Sequence, residues 1–261
     1  MNESTIELLA AWRGLKLTKP PYVLNGDHVL IEKGLCHSYG CFNDYISDRD
    51  FGNKSPHKLH TGLIPIPYAG DILKAKIYIL ALNPGFGPHD YYAESFDTDF
   101  CKARIQQLRQ QHLNETFPWM DLNPLFCWHG GYKYWTSRLN DIIDKLSEQK
   151  EISYKEALSR LSRAISCLEY IPYHSKHYGI SRSVVNKMLS PKLIKAFVHG
   201  YVVPRTKRGA TAIIVTRHVD VWELPKHDNI IRYDAAQSRA AYLNSKSPGG
   251  PIIARIMGLK P

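Results

Sequence analysis

The strongest structural signal in the chain is the apolar run Ala75-Lys-Ile-Tyr-Ile-Leu-Ala-Leu82, which is followed at once by Asn83-Pro84-Gly85. Apolar residues occupy both alternating sets of positions, a pattern typical of a strand buried on both faces. Proline and glycine are poorly suited to a central strand, so they mark its end. The sequence therefore predicts a central strand with a sharp turn at its carboxyl end.

Further strands and helices alternate along the rest of the chain. Strands are predicted at 167–171, 210–216 and 229–233. Helices are predicted from capping boxes, apolar periodicity and breakers, namely one opened by Ser4 and Glu7, then 99–113, 132–147, 153–165, 181–198 and one beginning near Pro251. This alternation predicts an α/β protein, with three α/β/α layers around a short, mostly parallel four-stranded sheet.

The N-terminal quarter of the chain differs in composition from the rest. Residues 16–70 are rich in Pro, Gly, Asn, Asp and His, which favours irregular structure. We therefore expect residues 1–60 to form an N-terminal extension packed on a core domain that spans 61–261.

The chain is basic, with 34 Lys and Arg against 24 Asp and Glu in 261 residues and a formal net charge of +10. This balance excludes an acidic, disordered tail and indicates a polyanionic partner. No apolar run is long enough to span a membrane, and the start Met-Asn-Glu-Ser does not resemble a signal peptide. We expect a cytoplasmic monomer that does not bind membranes.

The five cysteines are odd in number, which disfavours a closed disulfide framework and predicts free thiols. Cys36, Cys41, Cys101 and Cys127 could in principle hold an iron–sulfur cluster or zinc. Their spacing lacks the close Cys-x-x-Cys pairs typical of such sites. The sequence therefore predicts no metal and no cofactor, although it leaves the role of these four cysteines open.

In a parallel sheet, ligands bind beyond the carboxyl ends of the strands. This rule directs attention to the loops that begin at Asn83, Pro172, Arg217 and Tyr233. The Asn83 loop has neither the spacing of a dinucleotide-binding loop nor the Gly-Lys-Ser/Thr of a Walker loop. An ordinary tight turn is the alternative interpretation.

The run Ala81-Leu-Asn-Pro-Gly-Phe-Gly-Pro88 resembles motif A of the uracil-DNA glycosylase superfamily. That motif reads Gly-Gln-Asp-Pro-Tyr-His-Gly-Pro in the classical branch and Gly-Ile-Asn-Pro-Gly in the mismatch-specific branch. Asn83-Pro84 matches its Asp-Pro or Asn-Pro, Gly85 its Tyr or Gly, and Gly87-Pro88 its trailing Gly-Pro. The segment 64–70 also resembles the lead-in of bacterial members, and the resemblance extends loosely from about residue 60 to the C-terminus.

The resemblance implies roles for several residues near a flipped base. Asn83 would position the attacking water, and the backbone amides of the loop at Gly85 and Phe86 would bind the base carbonyl or a phosphate. Gly85 stands where the classical branch has a Tyr that excludes groups at C5, so the pocket would be open there, unless Gly85 only serves a turn that requires glycine. Phe126 would stack on the base, unless it belongs to the core. Glu169 would accept a hydrogen bond from a cytosine N4 amine, unless it is a buried acid paired with Arg or Lys.

The second motif of the superfamily, His-Pro-Ser-Pro-Leu-Ser or Asn-Pro-Ser-Gly, is absent as written after the last predicted strand. Asp234 stands near its catalytic His or Asn position, and Ser238 and Arg239 would contact phosphates or wedge the duplex open. A helix start capped by Asp234 is the alternative interpretation.

A fifty-residue stretch from Tyr170 to Val219 contains nine Lys or Arg and no Asp or Glu. A solvated face is one interpretation, but a run of a single sign with several histidines favours a phosphate-binding surface. Arg205, Lys207 and Arg208 are the expected phosphate contacts.

Taken with the resemblance, these features predict a DNA glycosylase that removes a flipped pyrimidine and leaves an abasic site. A 5-modified cytosine, such as a hydroxymethylated or glucosylated base of phage DNA, is the expected substrate, and antiviral defence is consistent with it. A uracil or mismatch repair glycosylase, a non-catalytic DNA-binding module and a nucleotide-processing enzyme remain as alternatives.

Overall fold

Helices and two small sheets make up the structure, a computed structural model that describes residues 2–49, 51–52 and 55–260. The strands are β1 Cys36–His37, β2 Leu59–His60, β3 Tyr68–Ala69, β4 Ile77–Ala81, β5 Ile165–Glu169, β6 Ala212–Val215 and β7 Ile230–Arg232. The helices are α1 Glu3–Arg13, α2 Val29–Glu32, α3 Phe42–Ser47, α4 Pro88–Phe96, α5 Thr98–Arg109, α6 Gly130–Gln149, α7 Tyr154–Ala164, α8 Arg182–Val185, α9 Ser190–Phe197, α10 Val203–Lys207, α11 Gln237–Ala240 and α12 Gly250–Ile256.

The contacts group the chain into two compact units. Unit 1 comprises Met1–Pro67, Leu82–Gln111 and Glu169–Phe197. Unit 2 comprises Tyr68–Ala81, His112–Leu168 and Val198–Pro261. Residues 1–60 thus fall in the same unit as two later segments.

The larger sheet has the strand order β3-β5-β4-β6-β7. Strand β4 runs parallel to β6, and β6 runs parallel to β7, while β3 pairs antiparallel with β5. The prediction of an α/β fold with a mostly parallel sheet is confirmed. The predicted number of four strands is wrong, because the described chain contains a fifth, β3. Its two residues are too short to produce a periodic pattern.

Strands β4 and β6 are buried on both faces. Ile77 and Ile79 of β4 belong to the main apolar core of unit 2, together with Ala212 and Ile214 of β6 and the apolar side of α6. The residues that alternate with them, such as Tyr78 and Leu80, are also fully buried. This burial accounts for the apolar runs that made both strands recognisable in the sequence.

Most of the longer helices were anticipated by the sequence. The sequence predicts a capping box of Ser153 and Glu156 at the start of α7. The hydroxyl of Ser153 accepts the N–H of Glu156, which is one of the two hydrogen bonds of such a box. Helix α1 is instead capped by Asn2, whose side chain accepts the N–H of Thr5. The opening of α1 at Ser4 was therefore wrong by two residues, because Asn is an equally good cap.

The predicted helix 181–198 is interrupted. It consists of α8 and α9 with a break at Asn186–Leu189. The fully buried carboxylate of Asp27 accepts the N–H groups of Leu189 and Ser190 at 2.6 and 3.0 Å, and thereby caps α9. A residue more than 160 positions away along the chain thus determines where α9 begins.

Candidate functional site

The loop after β4 lies in unit 1 beside the segment that follows β5. The N–H of Ile171 donates to the carbonyl of Leu82 at 2.8 Å, and the N–H of Ser175 donates to that of Pro84 at 3.2 Å. The N–H of His60 in turn donates to the carbonyl of His174 at 2.8 Å. Three segments of the chain, near residues 60, 83 and 174, are therefore held together by their backbones.

The side chain of Asn83 is fixed by two hydrogen bonds. Its Nδ2 donates to the carbonyl of Pro84 and to the hydroxyl of Ser175, both at 2.9 Å. The Ser175 hydroxyl itself donates to the carbonyl of His177 at 3.1 Å. Because both amide hydrogens are engaged, Oδ1 is the atom through which Asn83 can hold a further group, and Oδ1 is a hydrogen-bond acceptor.

Gly85 is exposed, and its backbone does not require glycine. It lacks the positive φ that favours glycine, and a Cβ atom added there would meet no atom within 4 Å. The carbonyl of Gly85 contacts Nδ1 of buried His174 at 2.8 Å. A turn that only glycine tolerates is therefore not the reason for Gly85, and the space where a side chain would stand is open.

Phe86 belongs to a group of aromatic rings in mutual contact, the aromatic cluster, which consists of Tyr39, Tyr45, His60, Phe86 and Tyr91. The Phe86 ring lies face to face on His60, with centroids 3.6 Å apart and planes inclined by 13°. Tyr45 and Tyr91 stack on each other at 5.1 Å. His60, Tyr45 and Tyr91 are buried, whereas Phe86 is half-buried and covers them.

Burial governs the protonation of groups in and beside this cluster. Burial lowers the pKa of His60 to about 3, and the neighbouring His37 and His174 lower it further against the opposing effect of Asp90. Burial likewise lowers the pKa of His174. His60 is therefore neutral at physiological pH, and its imidazole offers one donor and one acceptor.

Glu94 of α4 is a second perturbed group in unit 1. Burial raises its pKa to about 8, although the N–H of Ile64, which its carboxyl group accepts at 3.0 Å, favours the charged form. The carboxyl group is thus largely protonated at neutral pH. Perturbed groups of this kind cluster at functional sites, although buried structural networks produce them too.

The two other predicted base contacts are buried. Glu169 ends β5 with its side chain largely out of solvent, and its N–H donates to the carbonyl of Pro67 at 2.9 Å. Phe126 lies in unit 2, in the short 3-10 segment Pro124–Phe126, and is 3% exposed. The burial of Phe126 favours the core interpretation over that of an accessible stacking ring.

Asp234 stands at the start of a short helical segment of unit 2. Its Oδ1 accepts the N–H groups of Ala236 and Gln237, both at 2.8 Å, and its own N–H donates to the Gln237 side chain at 3.0 Å. These bonds correspond to the capping alternative for Asp234. Ser238 and Arg239 lie in α11, where Arg239 is exposed and Ser238 half-buried.

The three predicted phosphate contacts of unit 2 differ in their surroundings. Arg205 is half-buried, and its guanidinium donates to the carbonyl of Leu73 at 3.2 Å and to the hydroxyl of Tyr78 at 2.7 Å. Lys207 and Arg208 are exposed. Arg205 therefore stabilises the packing of α10 within unit 2, while Lys207 and Arg208 have charged groups that face solvent.

Unit 1 also carries exposed cations in the acid-free stretch. These are Lys176, Arg182, Lys187 and Lys192. Within the part of the chain that the structure describes, none of the four pairs with a carboxylate. Lys176 directly follows Ser175, the partner of Asn83, so a positive charge lies next to the candidate site in the chain.

The sequence did not assign Ser175, His174, His60, Tyr45 or Tyr91 to the site, although His174 is one of the histidines of the acid-free stretch. A signal for the first two existed, because the loop beginning at Pro172 follows a predicted parallel strand. The other three come from the irregular segment before residue 70 and from a helix that was not predicted, and no motif marks them.

The cysteines at 36, 41, 101, 127 and 167 are free thiols. Within the described chain, no helix combines the length and apolar character needed to cross a membrane. Comparisons of the sequence with protein-family models and with curated proteins, and of the structure with solved structures, gave no match.

Proposed function

We propose that this protein is a DNA glycosylase that hydrolyses the N-glycosidic bond of a flipped pyrimidine and leaves an abasic site. It acts as a cytoplasmic monomer on DNA, without a cofactor. Helices on both faces of the mostly parallel sheet would complete a three-layer α/β/α arrangement, consistent with the burial of both faces of β4.

The observation that carries this function is the fixed amide of Asn83. Its two hydrogens are bound to Pro84 and Ser175, so its Oδ1 is oriented as an acceptor at the carboxyl end of a parallel strand. An acceptor in this position can hold one hydrogen of a water molecule and turn an oxygen lone pair toward a sugar carbon. An isolated tight turn would not need its side chain fixed from a second loop.

The chemistry requires little from the enzyme beyond positioning. The bond between C1′ and the base nitrogen breaks first, the base leaves with the electron pair, and the sugar becomes an oxocarbenium ion. The water held by Asn83 then forms the new C1′–O bond, and its proton passes to solvent or to the departing base. Because the C1′–N bond breaks before the water attacks, the rate depends strongly on how well the base leaves, and an amide gives no further help by taking up a proton.

A 5-modified cytosine is the proposed base. The open space at Gly85 would admit a substituent at C5, and the Glu169 carboxylate would accept a hydrogen bond from the N4 amine. The amides of Gly85 and Phe86 would contact the base carbonyl. The stacking role of Phe126 is implied by the resemblance alone, and its burial is better suited to the core; an unchanged rate in Phe126→Leu would support the core interpretation.

For Asp234, a contact with the leaving base is implied by the resemblance alone. Oδ1 is engaged by two backbone N–H groups, so Oδ2 is the atom through which the residue would act. Asp234→Asn keeps a side-chain oxygen that can accept the capping hydrogen bonds but removes the negative charge. Its rate of base release therefore tests whether that charge takes part in the reaction.

Exposed cations support DNA as the partner. Exposed cations of both units offer positive charges for phosphates. In unit 2 they are Lys207, Arg208 and Arg239, and in unit 1 they are Lys176, Arg182, Lys187 and Lys192. Ser238 would add a neutral hydrogen bond. Half-buried Arg205, with its hydrogen bonds to Leu73 and Tyr78, is better suited to holding α10.

One experiment separates this function from its alternatives. The protein is incubated with duplexes that contain uracil, 5-methylcytosine, 5-hydroxymethylcytosine or glucosylated cytosine, and abasic sites are then cleaved with alkali. We expect cleavage at the 5-modified cytosines. Cleavage at uracil alone would establish a repair glycosylase instead.

A non-catalytic DNA-binding module is the second candidate. The capping role of Asp234 favours it, because that residue stands near the second catalytic position of the superfamily. Salt-dependent binding to every duplex without any abasic product would establish this candidate.

A further inference from the structure

Three buried polar atoms in the aromatic cluster have no hydrogen-bond partner among the described residues. They are the hydroxyls of Tyr45 and Tyr91 and Nδ1 of His60. The His60 ring lies 6.0 Å from that of Tyr45 and 5.7 Å from that of Tyr91, measured between centroids. Buried polar groups are seldom left unsatisfied, and the two hydroxyls in one cluster indicate that their partner arrives from outside.

The ring of Phe86 covers the face of His60 in a geometry that would suit a polar heterocyclic ring better than a phenyl ring. Aromatic hydrocarbon rings favour offset or edge-to-face contacts with centroids about 4.5–7 Å apart, whereas Phe86 and His60 lie face to face at 3.6 Å. A phenyl ring also offers no hydrogen bond to the three unsatisfied atoms around it. A planar ring with polar edges could stack in the same place and offer hydrogen bonds to the two tyrosine hydroxyls, while Nδ1 of His60 bonds in the plane of its own ring and takes no part in that exchange.

Phe86 is placed so that it can leave. Its ring is half-buried at the surface of the cluster, and it follows the exposed Gly85, around whose Cβ position there are no atoms within 4 Å. Tyr45, His60 and Tyr91 beneath it are 6% exposed or less. Rotation of one side chain would therefore uncover the face of His60 without unfolding the rest.

We propose that Phe86 occupies, in this closed state, the place of the flipped base, and that a pyrimidine displaces it and stacks on His60 beside the stacked pair of Tyr45 and Tyr91. The inference rests on the proposed function, since it takes the ligand to be a nucleobase. A six-membered pyrimidine matches the phenyl ring in size, whereas a purine exceeds it. The tyrosine hydroxyls donate to the O2 carbonyl and N3 of the base, and the neutral imidazole of His60 supplies the stacking face.

The test measures binding of free nucleosides to the full-length protein by calorimetry, with 5-hydroxymethyl-2′-deoxycytidine and 2′-deoxyadenosine as probes. In Phe86→Ala the competing ring is gone, so the pyrimidine binds more tightly, by about tenfold if the wild-type cluster is open about a tenth of the time. The purine gains nothing. Adding Tyr45→Phe and Tyr91→Phe to Phe86→Ala abolishes the gain. An unchanged affinity in Phe86→Ala overturns the proposal, and Phe86→Leu repeats the test with a milder change.

Tyr39→Phe is the matched control for the hydroxyls. The Tyr39 hydroxyl contacts Nδ1 of His37 at 3.1 Å, so its loss lowers the melting temperature. Tyr45→Phe and Tyr91→Phe each leave the melting temperature unchanged or raise it, because they remove buried groups that have no partner. A fall as large as that of Tyr39→Phe would mean that bound water satisfies these hydroxyls permanently, and would overturn the proposal.

The base-release assay separates this inference from the proposed function. If Phe86→Ala binds the pyrimidine more tightly but no duplex gives an abasic product, the proposed glycosylase function is contradicted and the pyrimidine site is supported. If wild type gives an abasic product but Phe86→Ala shows no gain in pyrimidine affinity, the glycosylase function is supported and the pyrimidine site is contradicted.

Discussion

The side-chain amide of Asn83 donates to the hydroxyl of Ser175 at 2.9 Å, and this bond joins the loops that follow two neighbouring strands, β4 and β5. The backbone N–H of Ser175 also donates to the carbonyl of Pro84. The orientation of Asn83 is therefore determined by a residue 92 positions away in the sequence. This contact gives the Asn-Pro-Gly turn a fixed acceptor.

We expect Asn83→Ala to lower the rate of base release about 10²- to 10³-fold, the usual effect of losing one positioned polar group. DNA affinity should stay nearly unchanged, because the amide contacts no phosphate. Single-turnover assays and filter binding measure the two quantities. A comparable rate in the variant would show that Asn83 does not hold the water.

Ser175→Ala should lower the same rate less, by about tenfold, because Asn83 keeps its bond to Pro84 but loses the second anchor. Ser175→Thr retains a hydroxyl and should restore most of the rate. Equal rates in the alanine and threonine variants, whether high or low, would contradict a positioning role for the hydroxyl.

Gly85→Tyr should remove activity on 5-substituted cytosine and keep the fold, because the Cβ position lies in open space and φ is not in the left-handed region. Thermal melting checks the fold, and Gly85→Ala is the control that adds a Cβ without a ring. Full activity of Gly85→Tyr on the bulky base, or a wild-type preference for plain uracil, would exclude the modified-cytosine assignment.

Neutralising Lys207 and Arg208 together should weaken binding to every DNA sequence and reduce the slope of log K against log salt by about two, close to one for each lost phosphate contact. Arg205→Gln is the matched control. Its guanidinium bonds to Leu73 and Tyr78, so its replacement should lower the melting temperature and leave the salt slope alone. If Arg205→Gln reduced the salt slope and the Lys207 and Arg208 variant did not, Arg205 would be the phosphate contact instead.

Acid should destabilise the protein through His60, whose pKa is lowered to about 3 from a model-peptide value of 6.5. Below pH 6.5 His60 binds a proton in the unfolded chain but stays neutral in the folded one. The free energy of unfolding therefore falls as the pH drops from 6.5 toward 3. At pH 5 this amounts to about 2 kcal/mol, from about 1.4 kcal/mol for each pH unit. Between pH 7.5 and 5 the melting temperature of His60→Phe should fall less than that of wild type, and an equal fall would contradict the role of His60.

Local patterns were enough to predict much of the sheet and the longer helices. The apolar runs at β4 and β6 are visible because both faces of these strands are buried, and Ser153 marks the start of α7 within four residues of chain. The Asn-Pro-Gly turn is equally local. Each of these features depends on neighbours within about one turn or one strand, where side-chain type and spacing carry the information.

The site itself depended on contacts between distant parts of the chain. Asp27 caps α9, Ser175 orients Asn83, and His60 lies under Phe86. The sequence around each of these residues contains no pattern that predicts its partner. Arg205 likewise looked like a surface cation until Leu73 and Tyr78 accounted for its hydrogens. The sequence by itself determined the strands, the turn and the excess of positive charge, because those follow from local composition. The tertiary structure decided which side chains are oriented, covered or exposed, because burial and hydrogen bonding arise only once segments far apart in the chain have packed together.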